Sequence, residues 1–215
     1  MTKIGIIGTG NMGRTIGTKW AGLGHDVMFG SRDPHKASEV ARAVGARSGD
    51  ANATAAHADI ILYTVRGVLP STTLADRRLL DGKIVIDCNN SDYDAATGEF
   101  LPAPIPSYAE QLAADVPGAR VVQAFSTIPH RVLELPRAVL EPQRVSAFVC
   151  SDDAGAKAAV ARLAGELGLV PIDTGGLRRA RIIDGVVALI RFQIAGMNRG
   201  PFTAISMVEV ARGAS

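Results

Sequence analysis

Aromatic side chains make up only 5% of the 215 residues. That is too few for a base-stacking surface, so nucleic acid is not an expected partner. Charge of one sign does not accumulate either. The 23 Lys and Arg against 21 Asp and Glu leave a net charge of +2, too little to draw the chain to nucleic acid or an anionic membrane. The two cysteines, Cys88 and Cys150, sit in apolar strand-like runs without C-x-x-C spacing or a histidine partner. They read as buried free thiols in a reducing compartment. His25, His35, His57 and His130 are scattered, with no i, i+3 or i, i+4 cluster of ligating residues, so no metal site is expected. No run of about 18 apolar residues is free of charge, so no transmembrane helix is expected. The first residues run straight into an apolar strand, unlike a cleavable leader. These absences leave a soluble, cytoplasmic protein as the expectation.

What is present is concentrated between Lys3 and Lys36. Lys3 to Ile7 is a short apolar run rich in β-branched residues, the pattern of a buried parallel strand. Gly8-Thr9-Gly10-Asn11-Met12-Gly13 follows with G-x-G-x-x-G spacing. Arg14 to Leu23 reads as a helix with Ile16, Trp20 and Leu23 on one face, stopped by Gly24. Trp20 is expected in the core. Val27-Met28-Phe29 is a second buried strand. Strand, glycine turn, helix and strand in this order form the context a dinucleotide fingerprint needs. Gly8 turns the chain, Gly10 lets the backbone approach a pyrophosphate, and Gly13 lets the helix pack on the sheet. The free amides and dipole of the helix start would hold the phosphate charge. Ser31, Arg32 and Lys36 stand at the end of the second strand, where an acid would select NAD. A hydroxyl and two cations suit a 2′-phosphate, so NADP(H) is the expected cofactor. Asp33 reads as the N-cap of a helix starting at Pro34.

Strand and helix patterns alternate through most of the chain. Asp59 to Tyr63, Lys83 to Asp87, Arg120 to Phe125, Val145 to Cys150 and Leu169 to Ile172 read as strands. Ala37 to Val44, Asp50 to His57, Leu69 to Leu80, Ser107 to Ala114 and Asp153 to Leu167 read as helices, and Ser91 to Pro106 as a loop. The expected fold is an α/β Rossmann doubly wound, mainly parallel sheet with a small helical C-terminal segment. Residues 1–174 form the NADP-binding part and 175–215 the C-terminal part. Leu177 to Ile194 is apolar round most of a helix, so it must be buried under the sheet or against a second subunit. Phe202 to Val210 reads as a final short helix.

In such a sheet the ligand lies outside the carboxyl ends of the strands. Beyond the phosphate loop and Ser31-Arg32, the runs Thr64-Val65-Arg66, Cys88-Asn89-Asn90 and Ser126-Thr127-Ile128-Pro129 occupy those ends. Thr64, Val65, Asn89 and Ala124 are expected beside the cofactor, and Ser126, Thr127 and Ile128 in the slot for a hydride acceptor. None of these three is assigned as an acid or base. His130 stands near the slot, and Met197 is a candidate cover.

These stretches resemble the NADPH-dependent deazaflavin reductases, which move a hydride between NADP and coenzyme F-420. The resemblance runs through Ile6 to Gly13, Gly30-Ser31-Arg32, Gly82 to Asp87, Val122 to Pro129 and Gly176 to Arg181. It implies an NADP-binding Rossmann domain, a small helical C-terminal part and a homodimer. The family often has His where Ser126 stands and Asn-Pro where Asn89-Asn90 stands. Similar domains in membrane metalloreductases use FAD. No Lys follows Lys157 and no His follows His130, so the C-terminal part lacks the usual proton donors for carbonyl reduction. A planar ring acceptor needs only to be held against the nicotinamide in a dry slot. Arg178, Arg179 and Arg181 would either help capture a polyanionic acceptor or form a solvated helix face. A reductase of a flavin, imine or carbonyl compound, and a non-enzymatic NADP-binding redox sensor, remain open alternatives.

Overall fold

The computed structural model describes residues 1–90, 93–94, 99–100 and 102–210. Six strands form one parallel sheet: β1 (Lys3–Ile7), β2 (Asp26–Gly30), β3 (Arg47–Gly49), β4 (Ile60–Tyr63), β5 (Ile84–Asp87) and β8 (Arg120–Gln123). Their order is β3-β2-β1-β4-β5-β8, so the winding reverses beside β1. This is the α/β Rossmann-like fold expected from the alternation of patterns. The helices α1 (Asn11–Gly22), α2 (Pro34–Ala43), α3 (Ala51–His57) and α5 (Tyr108–Asp115) connect the strands.

The central strands are apolar throughout because both faces are covered. Ile4 and Ile6 of β1 pack on one face with Ile16, Trp20 and Phe29. Ile7 packs on the other with Ile61, Tyr63, Val85 and Leu112. Trp20 is fully buried and meets Phe125 edge-on, with ring centroids 5.9 Å apart. Leu23 falls outside this face. It caps α1 and is exposed.

Local signals behave as their chemistry requires. The Asp33 carboxylate accepts from the backbone N–H groups of His35 and Lys36 and starts α2 at Pro34. Ser107 and Glu110 satisfy each other's backbone donors at the start of α5.

Several elements differ from expectation. The helix expected over Leu69 to Leu80 is broken into α4 (Pro70–Thr73) and a 3-10 turn at Arg77–Leu80. Leu74 is extended between them, which buries both Leu74 and Leu80 in the core. The Asp76 carboxylate accepts from Arg78 and starts the second turn. β3 was not legible, because its three residues are short and polar. β8 stops at Gln123, and Phe125 takes a left-handed conformation (φ 66°) that turns the chain into the following loop. Of the loop expected over 91–106, residues 91–92, 95–98 and 101 lie outside the described residues, and β6 (Tyr93–Asp94) pairs antiparallel with β7 (Glu99–Phe100).

After β8 come α6 (His130–Leu133), α7 (Arg137–Gln143), β9 (Ser146–Val149), α8 (Ala154–Glu166) and β10 (Val170–Asp173). β9 and β10 form a separate parallel pair. It meets the main sheet through an antiparallel bridge between Gln123 and Cys150. Both cysteines are buried free thiols.

The C-terminal segment is a 3-10 turn (Leu177–Arg179), then α9 (Ala180–Arg191), then a π-helical turn (Phe192–Gly196). α9 is two-sided rather than apolar all round in its surroundings. Ile183, Val187 and Ile190 are buried, whereas Ile182, Leu189 and Phe192 are more than half exposed. The helix expected over Phe202 to Val210 is absent. Those residues run along β9 instead: Ser146 N–H donates to the Ile205 carbonyl at 2.9 Å, and Met207 N–H donates to Ser146 Oγ at 2.8 Å. An edge strand with unpaired backbone groups outcompetes a short isolated helix.

Candidate functional site

The glycine turn leaves β1 with Gly8 at φ 109°, a conformation that excludes side chains. Gly8 N–H bonds to the Gly30 carbonyl at 2.9 Å, and Thr64 Oγ1 donates to the Gly8 carbonyl at 2.9 Å. β2 and β4 thus hold the turn from both sides. A Cβ on Gly13 would lie 2.0 Å from the Gly8 carbonyl oxygen, so α1 approaches the strand as only glycine permits. A Cβ on Gly10 would meet nothing within 4 Å, so this backbone faces open space. No side chain caps the first turn of α1. Its N–H groups are therefore available to a phosphate, and the residues present fit a dinucleotide pyrophosphate.

Three adjoining cavities share lining residues and form a trough along the carboxyl ends of the strands. The first lies over Gly8, Thr9, Gly10, Ser31, Arg32 and Lys36, with Thr64 and Val65 on its far side. Arg32 and Lys36 are exposed at its rim, and Lys36 Nζ stands 3.8 Å from Asp33. Ser31 Oγ accepts from Asp33 N–H at 3.1 Å, which fixes the hydroxyl beside them. Gly10 and Thr64 continue into the second cavity, which passes Asn11, Met12, Cys88 and Asn89. Met12, Arg66, Asn90 and His130 continue into the third.

The third cavity is bounded by Ser126, Thr127 and Ile128 on one side. Val187, Ile190, Arg191 and Ile194 close it from α9 and the π-helical turn. Ser126 is 6% exposed, and its Oγ has no hydrogen-bond partner among the described residues. A buried hydroxyl left unpaired costs about 1–3 kcal/mol, a cost that a ligand in this cavity would relieve.

Not every expected residue reaches the trough. Ala124 is fully buried and lines none of these cavities, and its N–H bonds to the Asp87 carbonyl at 3.0 Å. Gly13 lines none of these cavities and packs against the Gly8 carbonyl. Met197 is exposed and does not line the third cavity, whereas Ile194 does. Arg181 makes a two-pronged ion pair with Glu110, at 2.8 and 2.7 Å, which holds the Glu110 carboxyl down to about 2. Arg178 and Arg179 are exposed on the 3-10 turn and line none of the three cavities. The cations that do line the third cavity are Arg66 and Arg191. Arg191 was missed. The signal for it was the i, i+3, i+4, i+7 spacing of Val187, Ile190, Arg191 and Ile194.

Below the trough lies a buried acidic layer. Asp87 Oδ1 accepts from the Asn89 N–H at 3.0 Å and from Asn89 Nδ2 at 2.8 Å, which fixes the loop after β5. Burial pushes the Asp87 carboxyl up to about 7 and the Asp184 carboxyl up to about 6. Burial also raises the Cys88 thiol, so this sulfur stays protonated beside the trough.

The model of the family described as NADP oxidoreductase, coenzyme F420-dependent, matches residues 3–91, which span the glycine turn and the loop after β5. The F420-dependent NADP reductase of Methanothermobacter thermautotrophicus is 33% identical, with 87% of each chain covered. The chain belongs to the coenzyme F420-dependent NADP oxidoreductase family. A candidate F420-dependent NADP reductase from Arthrobacter sp. FB24 superposes with a TM-score of 0.83 at 27% identity, over 97% of this chain and all of that one. The metalloreductase STEAP3 of Rattus norvegicus is 30% identical over 86% of this chain, which spans only 36% of that longer protein. A reductive aminase from Aspergillus terreus solved with NADPH shares the fold, with a TM-score of 0.66 at 20% identity. Membership of an NADP oxidoreductase family accords with a trough that has Arg32 and Lys36 at the β2 end and, at the other, an apolar wall of Ile128, Val187, Ile190 and Ile194 flanked by Arg66 and Arg191.

Proposed function

We propose that this protein transfers a hydride between NADP(H) and the planar ring of a deazaflavin, coenzyme F-420. The observation that carries this reading is the continuous trough from Arg32 to Ile194, with shared walls at Gly10, Thr64, Met12 and Asn90. NADP(H) supplies the hydride. The first turn of α1 holds the pyrophosphate, Ser31, Arg32 and Lys36 hold the 2′-phosphate, and Thr64, Val65 and Asn89 flank the rest of the cofactor. Ser126, Thr127 and Ile128 form one wall of the acceptor slot, and residues 175–215 supply the other. Apolar side chains on both walls exclude water and press the acceptor onto the nicotinamide face. No side chain is assigned as acid or base, because the balancing proton of a ring acceptor can come from solvent.

The same reading includes a homodimer in which the exposed Ile182 and Leu189 of α9 and Phe192 of the π-helical turn are covered by a second copy. It includes a cytoplasmic setting. Among the described residues no helix is long and apolar enough to cross a membrane.

The test mixes the protein with NADPH and, in turn, a deazaflavin, a flavin, an imine and a carbonyl compound, and follows loss of nicotinamide absorbance. Turnover with the deazaflavin alone supports the proposal. Turnover confined to another acceptor replaces the ring assignment. Tight NADPH binding with no turnover on any acceptor replaces catalysis with sensing.

A further inference from the structure

Asn90 stands where the middle cavity opens into the acceptor cavity, and its side chain borders both. Its Nδ2 donates to the Ser126 carbonyl at 3.3 Å. Its Oδ1 accepts from Arg66 Nη2 at 3.5 Å and from Arg191 Nη2. One amide therefore ties together the loop after β4, the loop after β8 and the last residue of α9. The loop that carries it is itself anchored, because Asp87 Oδ1 holds both donors of Asn89 next door.

We propose that Asn90 is a positioning residue that sets the C-terminal wall of the acceptor cavity in register with the Ser126 loop, and thereby governs how tightly the acceptor is held. This rests on the acceptor assignment above only for the identity of the molecule held. The chemistry of the side chain supports the role. A primary amide offers both donors and an acceptor from one short planar head. A carboxylate would keep the bonds to the two guanidinium groups and lose the donor to Ser126. An aliphatic side chain of similar size would lose both. A proline, which the family often has after Asn89, has no side-chain hydrogen bond at all. Arg191 leads directly into the π-helical turn that carries Ile194, so the Asn90–Arg191 bond bears on the wall that Ile190 and Ile194 form.

Two measurements on the full chain test this, and the first needs no acceptor. Amide hydrogen exchange is compared in the wild type, Asn90→Leu and Asn90→Asp. Asn90→Leu is expected to raise exchange at residues 126–133 and 187–196 at least severalfold, and to leave residues 8–22 unchanged. Asn90→Asp is expected to keep 187–196 near the wild-type rate, since it still binds Arg191. Unchanged exchange at 187–196 in Asn90→Leu, or a uniform rise over the chain, overturns the proposal. Second, with the deazaflavin as acceptor, Asn90→Leu is expected to raise its KM about tenfold with the Kd for NADPH unchanged. Arg191→Leu should do the same, and the double variant should be no worse than either alone. Additive losses, or equal losses for NADPH and acceptor, overturn the coupling. If the wild type reduces no deazaflavin, the acceptor reading fails, while the exchange result still decides the role of Asn90.

Discussion

Gln123, the last residue of β8, donates its Nε2–H to Oδ1 of Asp184 in α9 at 2.9 Å, inside the protein. The bond spans 61 residues and fastens α9, which carries Val187 and Ile190 of the acceptor cavity, to the sheet. The other oxygen of Asp184 and the outer oxygen of Asp87 have no partner among the described residues. Two buried carboxyl groups thus sit beneath the site, each raised by burial.

This layer makes stability depend on pH in a defined direction. In the unfolded chain both carboxyls ionise near 3.8, whereas in the fold they do so near 6 and 7. Between those values the folded state binds more protons, so stability falls as pH rises from about 4 to about 7. Glu110 acts the opposite way: held down to about 2 by Arg181, its contribution is full above 4.5 and is lost as pH falls toward 2. Urea unfolding is expected to show an optimum on the acid side of neutral. Asp184→Asn should flatten the acid-to-neutral slope and gain on the order of 1–2 kcal/mol at pH 7.5.

Arg32→Ala removes a charge-assisted contact worth about 1.5–3 kcal/mol. Affinity for NADPH should fall about ten- to a hundredfold while affinity for NADH stays the same. Equal losses for both cofactors, measured by calorimetry, would remove Arg32 from the 2′-phosphate site.

Gly10 and Gly13 separate binding from folding. A Cβ on Gly10 meets no protein atom within 4 Å, so Gly10→Ala should fold with an unchanged Tm and lose NADPH binding. A Cβ on Gly13 collides with the Gly8 carbonyl oxygen at 2.0 Å, so Gly13→Ala should lower the Tm or prevent folding. Thermal unfolding with and without NADPH distinguishes the two.

Ser146→Ala removes the acceptor for Met207 N–H and loosens the residues that run along β9. A loss of about 1 kcal/mol is expected, with faster proteolysis after residue 203. An unchanged cleavage rate would show that the bonds at the Ile205 carbonyl and from Ser206 Oγ to the Gln143 carbonyl suffice to hold this segment.

The parts of the molecule that were legible from sequence are those specified locally. The glycine spacing, the Asp33 cap, the Ser107–Glu110 pair and the apolar strands each carry their own instruction within a few residues. What was not legible depends on partners far along the chain. The break at Leu74 exists because a packed core takes Leu74 and Leu80 together. The tail lies flat because β9 offers it an edge. Asn90 stands in a strand-end run that reads as site lining, but its meeting with Arg191, 101 residues on, does not show in the sequence. Arg181 looked available for an anion until Glu110, 71 residues earlier, was brought beside it.

The junction between the six-stranded sheet and the β9–β10 pair carries an evolutionary implication. The outer wall around Val187 to Ile194 follows that seam in the chain, yet it is tied back to the first sheet through Gln123–Asp184 and Asn90–Arg191. Substitutions that reshape this wall must keep both ties, so room for change lies in the side chains between them, Val187 and Ile190.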